Sequence, residues 1–298
     1  MEKINFEVND YSMRNELLLA SDAPVILDLF ASYKSSPRTP ITLWNEKVNK
    51  IIPEDISNEP NIIRGRELEP VIRDRLIPIF HPDISVREDK NTYYSPDLEF
   101  MACHIDGQII GKPRLAEIKC PHYMTMATTW KKDGEYFIPD SVKAQCLHIL
   151  ACRPDIEGID VFAYAGEKVI HLPFERHNET VTTYVAVAKQ FWDYVEKKIE
   201  PEPINNKDLA YIDSKKERLS YYKNASPALK INLKEQQKIK QEIKFNTEKL
   251  ENLAFIAKKE IGEAKGLKDN DEILCNLVRR KSKNGNTLSL TFPTTKVA

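Results

Sequence analysis

The sequence predicts a mixed α/β domain followed by a helical extension that ends in a hairpin. Three observations carry this expectation. Short apolar runs separated by Asp-Gly, Gly-Lys-Pro and other turn chemistry crowd residues 84–119, as the strands of a small sheet do. Residues on either side, 11–80 and 141–199, carry apolar positions at helical spacing. After Pro201-Glu202-Pro203 the composition shifts to a lysine-rich stretch with heptad-like apolar spacing, and the chain closes on two strand-like runs around Asn284-Gly285, a strong hairpin signal.

In chain order, residues 11–30 read as a helix broken near Ala20-Ser21-Asp22-Ala23-Pro24, where Ser21 or Asp22 caps a second segment and Ser21 sits at a helix N-terminus. A Ser/Pro/Thr-rich loop from Ser35 to Thr42 leads to a short helix around Leu43–Lys47 and a polar linker to Asn61. From Ile62 to Phe80, Ile63, Leu68, Val71, Ile72 and Leu76 recur at helical spacing before Pro78 interferes. Strands are expected at Ile84–Arg87, Thr92–Tyr94, Phe100–Ile105, Gln108–Ile110 and Leu115–Lys119. A helix over Ser141–Cys152, strands at Gly158–Tyr164 and Lys168–Leu172 and a helix over Asn178–Ile199 complete a first domain, 1–203. The second, 204–298, holds a helix over 232–264 with Ile239, Ile243, Leu250, Leu253 and Ala257 near heptad spacing, ended by Gly266. Its hairpin pairs Ile273–Arg280 with Thr287–Phe292.

A length of 298 residues allows two domains, and 41% apolar with 30% charged residues excludes a collagen-like, mucin-like or disordered polymer. With 44 basic and 45 acidic residues the net charge is −1, so any nucleic-acid surface is a local patch. One such excess lies between Lys230 and Lys283, where 14 basic residues face 9 acidic ones. The five cysteines form no Cys-x-x-Cys pair and no cluster spacing, which suits a reducing cytosol. The N-terminal residues lack a signal-peptide pattern and no apolar run reaches ~18 residues, so a cytoplasmic protein without a membrane span is expected.

The chemistry concentrates in His104-Ile105-Asp106-Gly107 and Leu115-Ala116-Glu117-Ile118-Lys119-Cys120-Pro121. Residues two apart on a strand share a face, so Glu117 and Lys119 project together while Ile118 points into the core. Asp106, eleven residues before Glu117, reaches the same place across a hairpin. Two carboxylates with the Ile118 backbone carbonyl suit a hard cation such as Mg²⁺, and Lys119 then orients or helps deprotonate an attacking water and offsets charge on phosphorus. An isolated Asp…Glu-x-Lys is common, and on its own reads as a turn plus a solvated ion pair. Three further features add weight: Glu69 in Gly65-Arg66-Glu67-Leu68-Glu69-Pro70, Gln145 on the helix after the strand, and Arg14 seven residues before Ser21.

Together, Arg-x₆-Ser, Leu-Trp-x-x-Lys, Gly-x₃-Glu-Pro, Asp-Gly, Glu-Ile-Lys-Cys-Pro, Ala-Gln and Phe191-Trp192 resemble the YqaJ-type, phage lambda exonuclease-like recombination nucleases of the PD-(D/E)xK superfamily, across roughly residues 11–203. The resemblance implies a restriction-endonuclease-like core, a mixed sheet flanked by helices. It also implies Mg²⁺-dependent hydrolysis of DNA, with Mn²⁺ a possible substitute. By position, Asp106 and Glu117 match the metal-binding acids, Lys119 the catalytic lysine, Glu69 the helical acid and Gln145 the glutamine near the active site. Arg14 and Ser21 match residues that hold the 5′-phosphate of the degraded strand, with His104 standing where the family has a serine. The implied activity is 5′-to-3′ resection of double-stranded DNA ends to 3′ single strands, by a homo-oligomer, a trimer by analogy, working with a single-strand annealing protein.

The family usually reads Ser-Pro-Asp-Gly at the first acid, and Ser95-Pro96-Asp97 lies nine residues before Asp106, which makes Asp97 a rival. Asp106 is preferred because one hairpin joins it to Glu117. Glu67 competes weakly with Glu69, and Arg64, Arg66 and Arg73 line a DNA groove or are ordinary surface charge. Trp130-Lys131-Lys132 contacts DNA or is an exposed loop, while Cys120, Cys146 and His148 read as packing residues. The alternatives are an endonuclease on the same fold, a non-catalytic DNA-binding or assembly protein, and an adaptor whose functional part is the tail.

Overall fold

A computed structural model describes residues 11–31, 38–51, 55–214, 223–282 and 285–293. The start of the Ser/Pro/Thr-rich loop at Ser35 and the turn residue Asn284 lie outside the described residues. The chain divides into two units, Met1–Glu217 and Arg218–Ala298.

The first unit opens with α1 (Tyr11–Glu16), a 3₁₀ turn (Ala20–Asp22), α2 (Ala23–Ala31), α3 (Pro40–Asn49) and α4 (Pro60–Val71). A π-helical turn (Ile72–Leu76) joins α4 to α5 (Ile77–Phe80). Strands β1 (Val86–Arg87), β2 (Tyr93–Tyr94), β3 (Ala102–Cys103), β4 (Gly107–Ile109) and β5 (Arg114–Lys119) follow. After them come α6 (Tyr123–Thr129), β6 (Lys131–Lys132), β7 (Glu135–Tyr136), α7 (Asp140–Cys152), β8 (Gly158–Tyr164), β9 (Val169–Glu175), α8 (Asn178–Glu196) and α9 (Asn206–Ser214).

The central sheet runs β1-β4-β5-β8-β9. All its pairings are antiparallel except β5 with β8, which are parallel and register Glu117 with Val161 and Lys119 with Ala163. A parallel neighbour needs a crossover, and here it contains α7. Strand alternation sends Leu115, Val161 and Ala163 into an apolar layer shared with α2, α7 and α8. Ala116, Ile118 and Phe162 enter a second layer with Ile72 and Ile77 on the opposite face. The result is a mixed sheet flanked by helices, the predicted α/β class.

The sequence-based expectations need several corrections. The helix expected over 11–30 is interrupted by an extended stretch, because Leu18 bridges to Met101: its N–H donates to the Phe100 carbonyl at 2.6 Å and its carbonyl accepts from Ala102 at 3.0 Å. The helix expected over 62–80 widens into a π turn instead of stopping. Pro78 has no N–H to return to the turn before it, and the wider turn absorbs that loss. Trp130 is buried, not part of an exposed loop, and Lys131-Lys132 pairs with Glu135-Tyr136 in a small hairpin. Trp44 donates its indole N–H to the Tyr194 carbonyl at 3.0 Å, and Phe100 stacks on Trp192 at 4.8 Å, which ties α3 and the sheet margin to α8.

The second unit holds α10 (Pro227–Ile261), β10 (Gly266–Asp269), β11 (Glu272–Ser282) and β12 (Gly285–Thr291), the strands forming one antiparallel sheet. Gly262 ends α10 with φ 54°, in the left-handed region that glycine tolerates, so Gly266 is the first residue of a strand and not the helix stop. Among the described residues no helix is long and apolar enough to cross a membrane.

Candidate active site

β5 has a strand partner on its β4 side only at Leu115 and Ala116. Beyond them, at Ile118, a side chain stands in for the strand: Asp106 Oδ2 accepts the Ile118 N–H at 2.7 Å. Within an extended strand the N–H and C=O of one residue point to the same side, so the Ile118 carbonyl faces the edge where Asp106 sits. Gly107 makes this corner possible, since a Cβ there would lie 2.5 Å from Val86 Cγ1 and 2.9 Å from the Arg87 carbonyl.

Glu117 is buried at 6% exposure, and Lys119 Nζ lies 2.5 Å from its Oε1. Desolvation opposes the Lys119 charge, but Glu117 and Asp106 outweigh it and hold the ammonium well above the ordinary lysine range. Asp106 is raised as well: burial first, then the Glu117 and Glu69 carboxylates, push its carboxyl well above the usual range. Glu69, half-buried on α4, is raised by burial and by Glu117 against the pull of Arg73. Glu67 is exposed and pairs with Arg66, so α4 turns Glu69 and not Glu67 toward the cluster. α7 packs on the face of the sheet that carries Leu115 and Val161, and burial and then Glu117 push the thiol of its Cys146 up. Gln145, the preceding residue, is half-buried.

These residues form one cluster of Asp106, Glu69, Glu117 and Lys119. Among the described residues no group of three or more His, Cys, Asp or Glu side chains is arranged as a metal cluster. The oxygen donors gathered at this edge of β5 are the Asp106 and Glu117 carboxylates, which repel each other, and the Ile118 carbonyl. All three are oxygen donors, as a hard divalent cation prefers, and the mutual repulsion that raises Asp106 is what a cation would relieve. The residues fit the ion.

Asp97 is exposed on a turn where its N–H and that of Leu98 donate to the Oγ of buried Ser95, and among the contacts of the described residues none joins it to Glu117. Arg73 is not a groove residue: it is 4% exposed and pairs with Glu69, Asp74 and Glu88. Arg64 donates to the Cys120 carbonyl at 2.9 Å, bracing α4 against the end of β5. Cys103, Cys146, Cys152 and Cys275 are buried free thiols. His148 packs wholly inside, its ring nitrogens 2.7 Å from the Tyr184 hydroxyl and 2.9 Å from the Ala102 carbonyl.

A second cluster forms where the Leu18–Met101 bridge folds the N-terminal segment onto the sheet margin. Arg14 Nη2 donates to Ser21 Oγ at 3.3 Å. His104 Nε2 lies 3.0 Å from Thr92 Oγ1. Beneath the Arg14–Ser21 pair lie Lys47, Asp22 and Arg38, which sequence reasoning did not single out as site residues. Lys47 is 5% exposed and its Nζ donates to Asp22 Oδ2 at 2.9 Å. The signal for it was the lysine of Leu-Trp-x-x-Lys.

The YqaJ-like viral recombinase domain model matches residues 11–155, which contain both clusters. No curated protein matches the chain. Among solved structures it is similar to an alkaline exonuclease from Laribacter hongkongensis, with 18% identity over 70% of this chain and 99% of that one and a TM-score of 0.49. The complex of that enzyme with dAMP gives 19% identity over the same shares, again with a TM-score of 0.49. A phage-related exonuclease from Haemophilus somnus gives 10% identity over 66% of this chain and 97% of that one, with a TM-score of 0.27.

Proposed function

Because the chain carries a YqaJ-like viral recombinase domain over residues 11–155, we propose that it is a metal-dependent exonuclease that digests duplex DNA ends 5′ to 3′ and leaves 3′ single strands for recombination. The observation that carries the reading is the meeting of Asp106, Glu117 and Lys119 at the unpaired edge of β5. When bound there by Asp106, Glu117 and the Ile118 carbonyl, Mg²⁺, or Mn²⁺ in its place, supplies Lewis acidity to the scissile phosphate.

The chain's own residues do the rest. Lys119, held protonated beside Glu117, donates a hydrogen bond to the attacking water and offsets charge growing on the phosphate oxygens. As an ammonium it orients and stabilises, and once the Glu117 and Asp106 charges that hold its proton are offset by a bound cation, it is also the group placed to help deprotonate the water. Glu69 borders the acids and helps position the water, and Gln145 shares that role by the resemblance. Arg14 with Ser21 accepts the 5′-terminal phosphate, the guanidinium offering paired donors to phosphate oxygens. By the resemblance, His104 stands where the family has a serine at the phosphate end of the site. The resemblance extends the proposal to a homo-oligomer, a trimer by analogy, acting with a single-strand annealing protein in the cytoplasm of a bacterium or phage-infected host.

The test is a time course on linear duplex DNA carrying 5′-phosphates and a distinct label on each strand end. Mg²⁺ and EDTA arms are compared, with Lys119→Ala as control. Stepwise loss from 5′ ends that needs Mg²⁺ and Lys119 is the expected outcome. Cutting of a closed circle would move the assignment to an endonuclease, and DNA binding without cleavage under any divalent metal would leave a non-catalytic binding protein.

A further inference from the structure

Arg14 and Ser21 are seven residues apart, on either side of an extended stretch, and nothing local makes them meet. The carbonyls of Arg14 and Leu17 are left without helical partners where α1 ends. Lys47 fills that gap from α3: its Nζ donates to the Arg14 carbonyl at 2.5 Å, the Leu17 carbonyl at 2.8 Å and Asp22 Oδ2 at 2.9 Å. An ammonium has three protons, and each has a partner here. Asp22, 2% exposed, takes the Leu19 N–H at 3.2 Å on that same oxygen and Arg38 at 2.5 Å on the other. Arg38 reaches on to the Ser21 carbonyl at 3.5 Å and to Glu46 at 2.9 Å. Arg14 is half-buried and Ser21 exposed, so an arriving phosphate meets that pair while the two cations beneath are engaged with Asp22.

We infer that Lys47, Asp22 and Arg38 form a positioning clamp that holds Arg14 and Ser21 at phosphate-binding geometry, and so sets a preference for phosphorylated over hydroxyl 5′ ends. The inference rests on the reading of Arg14 and Ser21 as the 5′-phosphate pocket. The clamp acts through Arg14 and Ser21, since Lys47 and Asp22 are buried and Arg38 is engaged by Asp22 and Glu46. Its effect is to fix a guanidinium and a hydroxyl to within the fraction of an ångström that oriented recognition needs.

The test compares initial rates of the full-length protein on duplexes that differ only in a 5′-phosphate or 5′-hydroxyl end. Wild type, Lys47→Met and Arg38→Gln are compared, each with its KM and its unfolding temperature. Wild type is expected to favour the phosphorylated end. In both variants the phosphorylated-to-hydroxyl rate ratio falls about tenfold or more, chiefly through a higher KM for phosphorylated ends. Equal losses on both substrates, leaving the ratio unchanged, are what a purely structural role gives and overturn the clamp. Arg38, with a side chain 32% exposed, decides alone if Lys47→Met fails to fold. A wild type that ignores the 5′-phosphate defeats the pocket itself, and is thereby distinguished from a wild type whose preference survives both substitutions.

Discussion

The Asp106 carboxylate takes the Ile118 N–H at 2.7 Å, in the place a neighbouring strand would occupy. One side chain thus ends the pairing of β4 with β5 and aims an acid at the Glu117–Lys119 pair.

Asp106→Asn keeps an oxygen for that N–H but removes a charge repelled by Glu117 and Glu69. Cleavage should fall by at least about 10²-fold. The metal-free unfolding temperature should stay level or rise, because a buried like-charge repulsion is gone. Asp97→Asn, on an exposed turn, should leave cleavage within about twofold. The opposite pattern would transfer the first acid to Asp97.

Lys119→Met releases Glu117 Oε1 from an ion pair of 2.5 Å. Calorimetric titration should show Mg²⁺ bound as tightly as in wild type or more so, while cleavage drops by about 10²–10³-fold. Joint loss of binding and cleavage would make Lys119 a scaffold for the site instead of a participant.

The raised Asp106 carboxyl sets a pH dependence with a definite sign. Its acid form persists above the usual carboxylate range, so acidification removes a cation donor earlier than an ordinary aspartate would. The same shift means that the folded, metal-free chain binds an extra proton, and its stability declines as pH rises through the raised value. At sub-saturating Mg²⁺ the acid limb of the pH–rate profile should therefore lie high, and saturating Mg²⁺ should move it to lower pH as cation and proton compete. A limb that ignores Mg²⁺ concentration would contradict this assignment.

His148 gives a separate window. Burial lowers it to about 4, whereas the unfolded chain takes up the proton near ~6.5. Stability present above the unfolded value is lost progressively as pH falls toward the folded one, by about 3 kcal/mol in all. Denaturant titrations between about pH 7 and about pH 4 should show that slope, and His148→Gln should flatten it. Asp22 is also opposed by burial, but Lys47 and Arg38 hold it well below the carboxylate range, so its contribution disappears only in stronger acid. An unchanged slope in His148→Gln would place the titrating group elsewhere.

Much of the fold was legible because it is written in local periodicity. Gly158–Tyr164 is an apolar run after a glycine and folds as that strand to the residue. Asn178 starts α8 as expected, and α7 begins one residue before the expected Ser141. The period of two on β5 put Glu117 and Lys119 on one face with Ile118 opposite, as the apolar layers bear out. Elements without a period of their own escaped: α6 follows a proline-containing turn, and its short hairpin carries little apolar signal.

By itself, then, the sequence determined the α/β class, the strand bearing Glu117 and Lys119, and the family-like order of the motifs. Only the tertiary structure decided that Arg14 meets Ser21, that Asp106 and not Asp97 borders Glu117, that Arg73 is buried, and that Lys47 holds up the N-terminal segment. The physical reason is range. Periodicity reports which face of an element is buried, but a hydrogen bond across thirty residues depends on a bridge such as Leu18–Met101, whose partners carry no mark of each other.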